Sequence, residues 1–268
     1  MPKISIIMGV LNAQNRIRRS VNSIIEQTYE DWEFIICDDG SKDDTFDILE
    51  KMSLSDKRII VIRNKTNRGL AFSLNKCISM SKGAYLARMD DDDIALPQRL
   101  EKQISFLESN PKISIIGTSR TLFDEKGIWG SDIRSGEVSK ADVFKGYPFV
   151  HPTVLMRKKD VESVGCYTVS KITKRTEDID LWIKMYEKGY VGYNLSDILL
   201  NYFESENSYS KRKYVHRFHE FLIRIGAMKK LEIKWWLFLY PFKTLASGLI
   251  PRFIMIRIKS KRYSNTRS

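Results

Sequence analysis

Residues 85–93 read YLARMDDDD, an apolar stretch that changes within one residue into four consecutive aspartates. The composition of Tyr85–Met89 is typical of a buried strand, and Asp90–Asp93 follows where that strand ends. Pro97 suits the first turn of a helix, because its fixed backbone angle is compatible with a helix start. The stretch therefore predicts a strand, an acidic loop and a helix in immediate succession.

The same alternation of strand and helix continues on both sides of this stretch. Buried strands are predicted at 3–10, 32–37, 59–62 and 113–118, with apolar stripes of helical spacing between them. Such alternation is typical of an α/β fold with a Rossmann-like, mainly parallel sheet and helices on both faces. Further along, 149–156 is predicted as a strand and 178–188 as a short helix.

Three polar breaks, at 9–12, 38–41 and 90–93, each follow a predicted strand directly. The carboxyl ends of parallel strands meet at one edge of a sheet, where ligands bind in such folds. We therefore expect the three breaks to converge at that edge. Two of them are acidic.

Four adjacent aspartates repel one another, so their presence needs an explanation. One interpretation is a solvated loop whose last aspartate caps the following helix; the other is a site for a divalent cation. Carboxylate ligands without nearby His or Cys select Mg²⁺ or Mn²⁺ over zinc. Because no glycine-rich phosphate loop is present, a carboxylate-held cation is the natural partner for a diphosphate and would stabilise it as a leaving group.

At the level of ordered motifs, the chain resembles family 2 glycosyltransferases of the GT-A fold, of the type that builds bacterial capsule, exopolysaccharide or lipopolysaccharide. The matching segments are SIIMGVLN (5–12), SIIEQTYEDWEFIICDDGSKDDT (23–45), NRGLAFSLN (67–75), ARMDDDDIALPQRLEKQISFL (87–107), HPTVLMRK (151–158) and TEDIDLWIKM (176–185). They occur in the family's order and span residues 3–205. Any one segment is unspecific, whereas the ordered set is highly specific.

The resemblance implies a site for a nucleotide-sugar donor, with a UDP-sugar as the expected donor. Asp39 matches the aspartate that reads the uridine base, with Asp38 beside it. Asn12 closes the first strand's motif, and Leu11 stands where relatives commonly have the tyrosine that stacks on the base.

The acidic loop matches the family's D-x-D motif. The resemblance implies that Asp90 faces the ribose or sugar and that Asp92 binds Mn²⁺ or Mg²⁺. Asp91 fills the variable position, and Asp93 extends the acidic loop.

Asp178 matches the family's catalytic base, and Glu177 is the fallback candidate. Asp178 could also act only as the N-cap of the helix that follows it. One base on the acceptor hydroxyl and one cation on the leaving group suffice for a single displacement, which inverts the anomeric configuration.

Three further side chains are candidates for the donor site. Arg68 and Arg88 could pair either with donor phosphates or with the acidic loops. His151 could contact the diphosphate or the acceptor, or be a structural residue.

The positive charge is concentrated at one end of the chain. The whole sequence carries a net charge of +12, yet residues 207–268 alone hold 15 Lys/Arg and two acids, whereas 1–206 hold 30 Lys/Arg and 31 acids. We therefore predict a catalytic domain at 1–206 and a basic, apolar helical appendage at 207–268. The apolar stretches there are too interrupted to span a bilayer, which favours attachment to an anionic membrane surface. An ordinary helix pair packed on the catalytic domain is the alternative.

The remaining classes of protein fit the sequence less well. A nucleotidyltransferase that makes nucleotide sugars would need a basic, glycine-rich loop after the first strand, where GVLNAQNR stands. A nucleic-acid-binding protein would interleave aromatic and basic residues, whereas 235–242 is continuously uncharged. A processive polysaccharide synthase would carry several membrane spans. Three sparse cysteines favour a reducing compartment, so we expect a cytoplasmic enzyme on the inner face of the membrane that extends a lipid-linked glycan and binds no nucleic acid.

Overall fold

The computed structural model describes residues 1–146, 148–204, 214–248, 250, 254, 255 and 263. The strands are β1 (Ile4–Val10), β2 (Trp32–Asp38), β3 (Ile59–Arg63), β4 (Tyr85–Arg88), β5 (Ile94–Ala95), β6 (Ile113–Asp124), β7 (Gly127–Asp132), β8 (Gly136–Val138), β9 (Leu155–Arg157) and β10 (Val191–Phe203). The α-helices are α1 (Ile17–Ile25), α2 (Thr45–Ser55), α3 (Leu70–Met80), α4 (Arg99–Ser109), α5 (Lys140–Lys145), α6 (Lys158–Ser163), α7 (Glu177–Glu187), α8 (Tyr214–Lys230) and α9 (Phe242–Ser247).

One sheet organises these elements, in the order β3-β2-β1-β4-β9-β6-β10-β5. The first four strands are parallel, as the alternation of strands and helices predicts, and β6 is parallel to β10. The predicted fifth strand is longer than expected and does not pair with β4. Instead, β9 lies between β4 and β6 and is antiparallel to both. The carboxyl ends of β1, β2 and β4 therefore share one edge.

Helices cover both faces of the sheet, as predicted. Along β1, Ile4, Ile6 and Met8 point to the face covered by α1, α2 and α4, whereas Ile7 points to the face covered by α3 and α7. This alternation is the ordinary period of a strand, and both faces are buried because both carry helices.

The expected strand at 149–156 is only partly present. His151–Thr153 form a 3₁₀ turn, and only Leu155–Arg157 form a strand. Pro152 has no N–H for a sheet ladder, and the Thr153 N–H donates to the Val150 carbonyl at 2.8 Å, which closes the turn.

The basic C-terminal region begins with α8, which packs against α5 and α7. Arg224 is buried, although it lies in the basic region that was predicted to attach to a membrane surface. Its guanidinium donates to Glu220 at 2.9 and 3.1 Å and to the Phe144 carbonyl of α5. No helix within the described ranges is long and apolar enough to cross a membrane.

Breaking this buried ion pair from one side should loosen α8. Arg224→Met removes the guanidinium that donates to the buried Glu220 carboxylate, and loss of one partner of a buried ion pair typically costs about 3–5 kcal/mol. Hydrogen exchange of the α8 amides should accelerate accordingly, while the double variant Glu220→Leu, Arg224→Met restores most of the protection. Unchanged exchange in the single variant would show that the pair does not hold α8.

Candidate active site

A cavity of about 600 Å³ opens at the carboxyl edge of the parallel strands. The polar breaks after β1, β2 and β4 meet here, as predicted from the strand ends. Its lining residues are Gly9, Val10, Leu11, Arg16, Asp39, Asn67, Arg68, Gly69, Leu70, Ala71, Ser73, Asp90, Asp91, Val169, Ser170, Thr173, Lys174, Arg175 and Glu177. The cavity thus brings together carboxylates from three segments of the chain, and it is also lined by the bases Arg16, Arg68, Lys174 and Arg175.

Asp39 organises the cavity wall opposite the acidic loop. Its carboxylate accepts hydrogen bonds from the backbone N–H groups of Arg68 and Gly69, at 2.9 and 2.8 Å, and from the Asn64 side chain at 2.8 Å. These bonds hold the loop that leads into α3. Gly69 has a φ of +90°, a conformation that glycine adopts without strain.

The acidic loop is held in place by one face of α1. Arg16 pairs with the Asp91 carboxylate at 2.8 Å, and the Ser20 hydroxyl donates to the Asp90 carbonyl at 2.6 Å. Arg19 donates to the Asp92 carbonyl at 3.1 Å. The loop is therefore preorganised by the chain itself.

Three of the four aspartates have the arrangement that a divalent cation needs. Carboxylate oxygens of Asp90, Asp92 and Asp93 lie within 4.8 Å of one another. Asp93 is fully buried, and its Oδ2 has no hydrogen-bond partner among the described residues. Burial and the charges of Asp90 and Asp91 raise the pKa of Asp92 to about 7. An oxygen-only donor set with an orphaned buried oxygen fits Mg²⁺ or Mn²⁺.

Arg88 lies behind the cavity, between the acidic loop and α7. It is buried and forms an ion pair with Asp90. Burial lowers the pKa of Arg88, but the nearby carboxylates of Asp90 and Asp93 outweigh it and raise that pKa above its ordinary value. Of the two partners considered for Arg88, the structure places it with the acidic loop, and it does not line the cavity.

Glu177 and Asp178 begin α7 at the other side of the cavity. Glu177 lines the cavity, whereas Asp178 Oδ1 accepts the Ile179 N–H at 2.9 Å. Burial, and after it the neighbouring Asp178, raises the pKa of Glu177 to about 7. Burial raises the pKa of Tyr167, and the negative charges of Asp178 and Glu177 raise it further. The two carboxylates therefore act on the same neighbouring side chain.

The raised pKa of Glu177 predicts a pH-dependent effect on stability. The folded protein binds this proton more tightly than the unfolded chain, so the stability contributed by the group falls as pH rises from about 4.5 to about 7. Glu177→Gln should therefore increase the free energy of unfolding by about 3 kcal/mol at pH 8 and by almost nothing at pH 4.5. Urea unfolding at the two pH values measures this. The exposed Glu50→Gln on α2 serves as control, and an equal effect at both pH values would contradict the assignment.

Several residues predicted for the donor site lie outside the cavity lining. Asp38 is fully buried, accepts the Ser41 N–H and pairs with Arg63 at 3.0 Å. Asn12, at a φ of +50°, accepts the Lys42 N–H and thereby joins the loops after β1 and β2. Both residues shape the turns that carry their neighbours to the cavity.

His151 also lies away from the cavity lining. Its Nε2 shares a hydrogen bond of 2.8 Å with the Tyr167 hydroxyl, and its ring packs against Trp182. Burial, followed by the charge of Arg88, lowers the pKa of His151 well below its usual value, which favours the neutral ring. By contrast, Arg68 lines the cavity, with its guanidinium over the Phe72 ring.

Sequence reasoning missed three cationic residues of the cavity, Arg16, Lys174 and Arg175. Arg16 directly precedes α1 and carries no motif of its own in the sequence. The basic run KITKR at 171–175 directly precedes the Thr-Glu-Asp motif, and this position was the available signal. Arg175 has a φ of +70°, an unusual conformation that turns the chain between the cavity wall and α7.

The fold and the cavity define a glycosyltransferase of the GT-A type, and comparison with known proteins agrees. The chain belongs to glycosyl transferase family 2, whose model matches residues 5–177.

Similar proteins come from several organisms. EpsE of Bacillus subtilis (strain 168), to which a glycosyltransferase function is provisionally ascribed, is 37% identical over 98% of this chain and 95% of its own length. The Escherichia coli enzyme WfaP, named a UDP-Glc:alpha-D-GlcNAc-diphosphoundecaprenol beta-1,3-glucosyltransferase, is 30% identical over 87% of this chain and 88% of its own.

Two solved structures share the fold at low sequence identity. The structure of S. aureus TarS 1-349 in complex with UDP-GlcNAc has a TM-score of 0.70 and 19% sequence identity to this chain. The match covers 94% of this chain and 73% of the TarS chain. The structure of the mannosyltransferase PcManGT from Pyrobaculum calidifontis, in complex with GDP-Man and Mn²⁺, has a TM-score of 0.66 and 14% sequence identity. The match covers 97% of this chain and 80% of the PcManGT chain.

Proposed function

We propose that the protein is a metal-dependent, inverting glycosyltransferase that transfers a sugar from a UDP-sugar to a hydroxyl of a lipid-linked bacterial glycan. The observation that carries this proposal is the cavity in which the Asp39 loop, the acidic loop and the start of α7 meet.

The charges of the cavity support a nucleoside diphosphate as ligand. Arg68, Lys174 and Arg175 supply positive charge for phosphates at the rim, and all three are exposed. Asp39 would face the base, and Asp90 the ribose or sugar. The TarS complex with UDP-GlcNAc and the UDP-Glc named for WfaP favour a uridine nucleotide.

Asp92, together with Asp90 and Asp93, would hold the cation. When bound, Mn²⁺ or Mg²⁺ supplies positive charge that stabilises a departing diphosphate. The contacts from Arg16, Arg19 and Ser20 keep the carboxylates in place, so that little reorganisation is needed.

Asp178 would take the proton from the acceptor hydroxyl. The oxygen then attacks the anomeric carbon from the side opposite the diphosphate, and the bond to the diphosphate breaks with its electron pair leaving on UDP. Glu177, which lines the cavity directly beside Asp178 in the chain, is the second candidate for the base. Attack from the opposite side inverts the anomeric configuration.

A similar enzyme supports the proposed acceptor. WfaP is named for a sugar linked to diphosphoundecaprenol, which supports a lipid-linked acceptor for this chain. The proposed location is the cytoplasmic face of the membrane, where a lipid-linked acceptor and a nucleotide-sugar donor would meet.

A screen of nucleotide sugars tests the proposal. The full chain is incubated with UDP- and GDP-sugars, with and without Mn²⁺, and release of the nucleoside diphosphate is measured. We expect hydrolysis of one UDP-sugar that depends on the cation. Release from GDP-sugars alone would contradict the uridine assignment, and no release from any donor would contradict the proposed function.

A further inference from the structure

Helix α8 carries apolar side chains on its outer face as well as on the face that packs against the catalytic domain, where Ile223 and Met228 contact the core. Its buried face carries the ion pair Glu220–Arg224 and Ala227, whereas Tyr214, Phe218 and Leu222 are exposed by 42–48%. A surface helix ordinarily buries its apolar stripe and exposes its charges. The outer face of α8 therefore exposes apolar side chains that a surface helix would normally bury.

This apolar face continues into the segment that follows α8. The Phe221 and Phe242 ring centroids are 4.9 Å apart, and those of Phe238 and Phe242 are 5.7 Å apart, so aromatic rings join α8 to the 3₁₀ helix Trp235–Leu239. Trp235 is exposed by 80% and Leu239 by 71%. We call the exposed apolar residues of 214–242 the apolar platform.

The platform concentrates the exposed apolar side chains of the described residues. Nine of the eighteen large apolar residues that are exposed there lie in 214–242. They are Tyr214, Val215, Phe218, Leu222, Trp235, Trp236, Phe238, Leu239 and Phe242. A contiguous apolar surface of this kind marks an interaction site.

Basic side chains border the platform. Lys234 and Lys243 are both exposed; Lys234 Nζ lies 5.0 Å from the centre of the Trp236 ring, and Lys243 Nζ lies 5.5 Å from that of Tyr240. Residues 214–248 hold six Lys/Arg and two acids, a net charge of +4. Two copies of this surface would repel each other, whereas an anionic surface would be attracted.

From this combination we propose that the apolar platform is a membrane-docking surface that inserts into the interface of an anionic lipid bilayer. Trp235 and Trp236 would lie at headgroup level, with the lysines against the lipid phosphates. The proposal deepens the proposed function, because it assigns the surface that would bring the enzyme to a lipid-linked acceptor.

The platform has a fixed position relative to the cavity. The buried Glu220–Arg224 pair holds α8 to α5, and Lys230 pairs with Glu187 of α7 at 3.3 Å. Glu187 ends the same helix that Glu177 and Asp178 begin. Docking of the platform would therefore hold the catalytic domain at a defined orientation to the membrane.

Flotation of the full chain with vesicles tests the proposal. We expect flotation with phosphatidylcholine vesicles that contain about one third phosphatidylglycerol, and much less with phosphatidylcholine alone. Raising the salt from about 0.1 M to about 1 M should remove most of the binding, because the Debye length falls from about 10 Å to about 3 Å. Equal binding to both vesicle types, or none to either, would overturn the assignment.

Matched variants locate the surface. Trp235→Ser with Leu239→Ser should weaken vesicle binding by about tenfold or more, because two exposed apolar side chains no longer insert. Leu54→Ser, which is 71% exposed on α2, should bind like the unmodified chain. Equal loss in both, or in neither, would contradict the platform. Quenching of tryptophan emission by brominated lipid provides the same test on the unmodified chain, and unchanged emission would contradict it.

Two further readouts separate this proposal from its alternatives. Donor hydrolysis without vesicles should be unchanged in Trp235→Ser, Leu239→Ser, whose residues do not line the cavity. If the double variant loses vesicle binding but keeps donor hydrolysis, the result supports the platform and says nothing against the proposed function. If the unmodified chain binds vesicles but hydrolyses no donor, the result contradicts the proposed function alone. A stable dimer in sedimentation that these substitutions dissociate would assign the platform to a second copy and overturn the proposal.

Discussion

Asp92→Ala should lower sugar transfer by about 10²–10⁴-fold, because charge stabilisation by a bound cation contributes several kcal/mol to the departure of a diphosphate. Asp92 lies with Asp90 and Asp93 in the group of carboxylates that fits a divalent cation. The fold should persist. Burial and the like charges of Asp90 and Asp91 destabilise the Asp92 carboxylate, so its removal relieves repulsion. Turnover of the donor with added Mn²⁺, alongside a thermal unfolding scan, measures both effects.

Asp47→Asn on the exposed face of α2 is the matched control and should behave like the unmodified enzyme. An excess of chelator should lower sugar transfer by the unmodified enzyme to a similar extent. In Asp92→Ala, the chelator should lower sugar transfer little further. Full turnover of the unmodified enzyme in chelator would contradict metal dependence.

Asp178→Asn should reduce transfer by about 10²–10⁴-fold, the usual contribution of a general base, because the amide keeps the shape of the side chain but cannot accept the proton. Donor affinity should change little, because the carboxylate would act on the acceptor. Calorimetric binding of UDP, together with transfer rates at saturating donor, separates the two steps.

Glu177→Gln is the informative partner variant, since Glu177 borders the cavity and precedes Asp178 directly. If Asp178 is the base, Glu177→Gln retains much more activity than Asp178→Asn. The reverse order of activities would assign proton transfer to Glu177 and leave Asp178 as a residue of the helix start.

The parallel part of the fold was predictable because each strand carries its own local signal. Runs such as 3–10 and 85–89 are apolar, end abruptly in polar residues and alternate with helical stripes. Once the strands are parallel, convergence of the breaks after β1, β2 and β4 follows from geometry alone. The cavity confirmed that expectation, with Leu11, Asp39 and Asp90 all lining it.

The remaining features depend on tertiary contacts that no local pattern encodes. The burial of Arg88 and Arg224 is one such feature: each pairs with a carboxylate close to it in sequence, but only the packing of neighbouring elements removes the pair from solvent. Asp38 and Asp39 are adjacent, and only the direction of each side chain decides which one reaches the cavity. The antiparallel insertion of β9 between β4 and β6 is likewise a long-range pairing.

The anomeric configuration of the product tests the central claim most directly. The accepted UDP-sugar, α-linked in the donor, is supplied with Mn²⁺ and a lipid-linked acceptor, and the glycosidic linkage is read by proton NMR. A single displacement, with one carboxylate at α7 taking the acceptor proton, predicts a β-linked product. An α-linked product would contradict it.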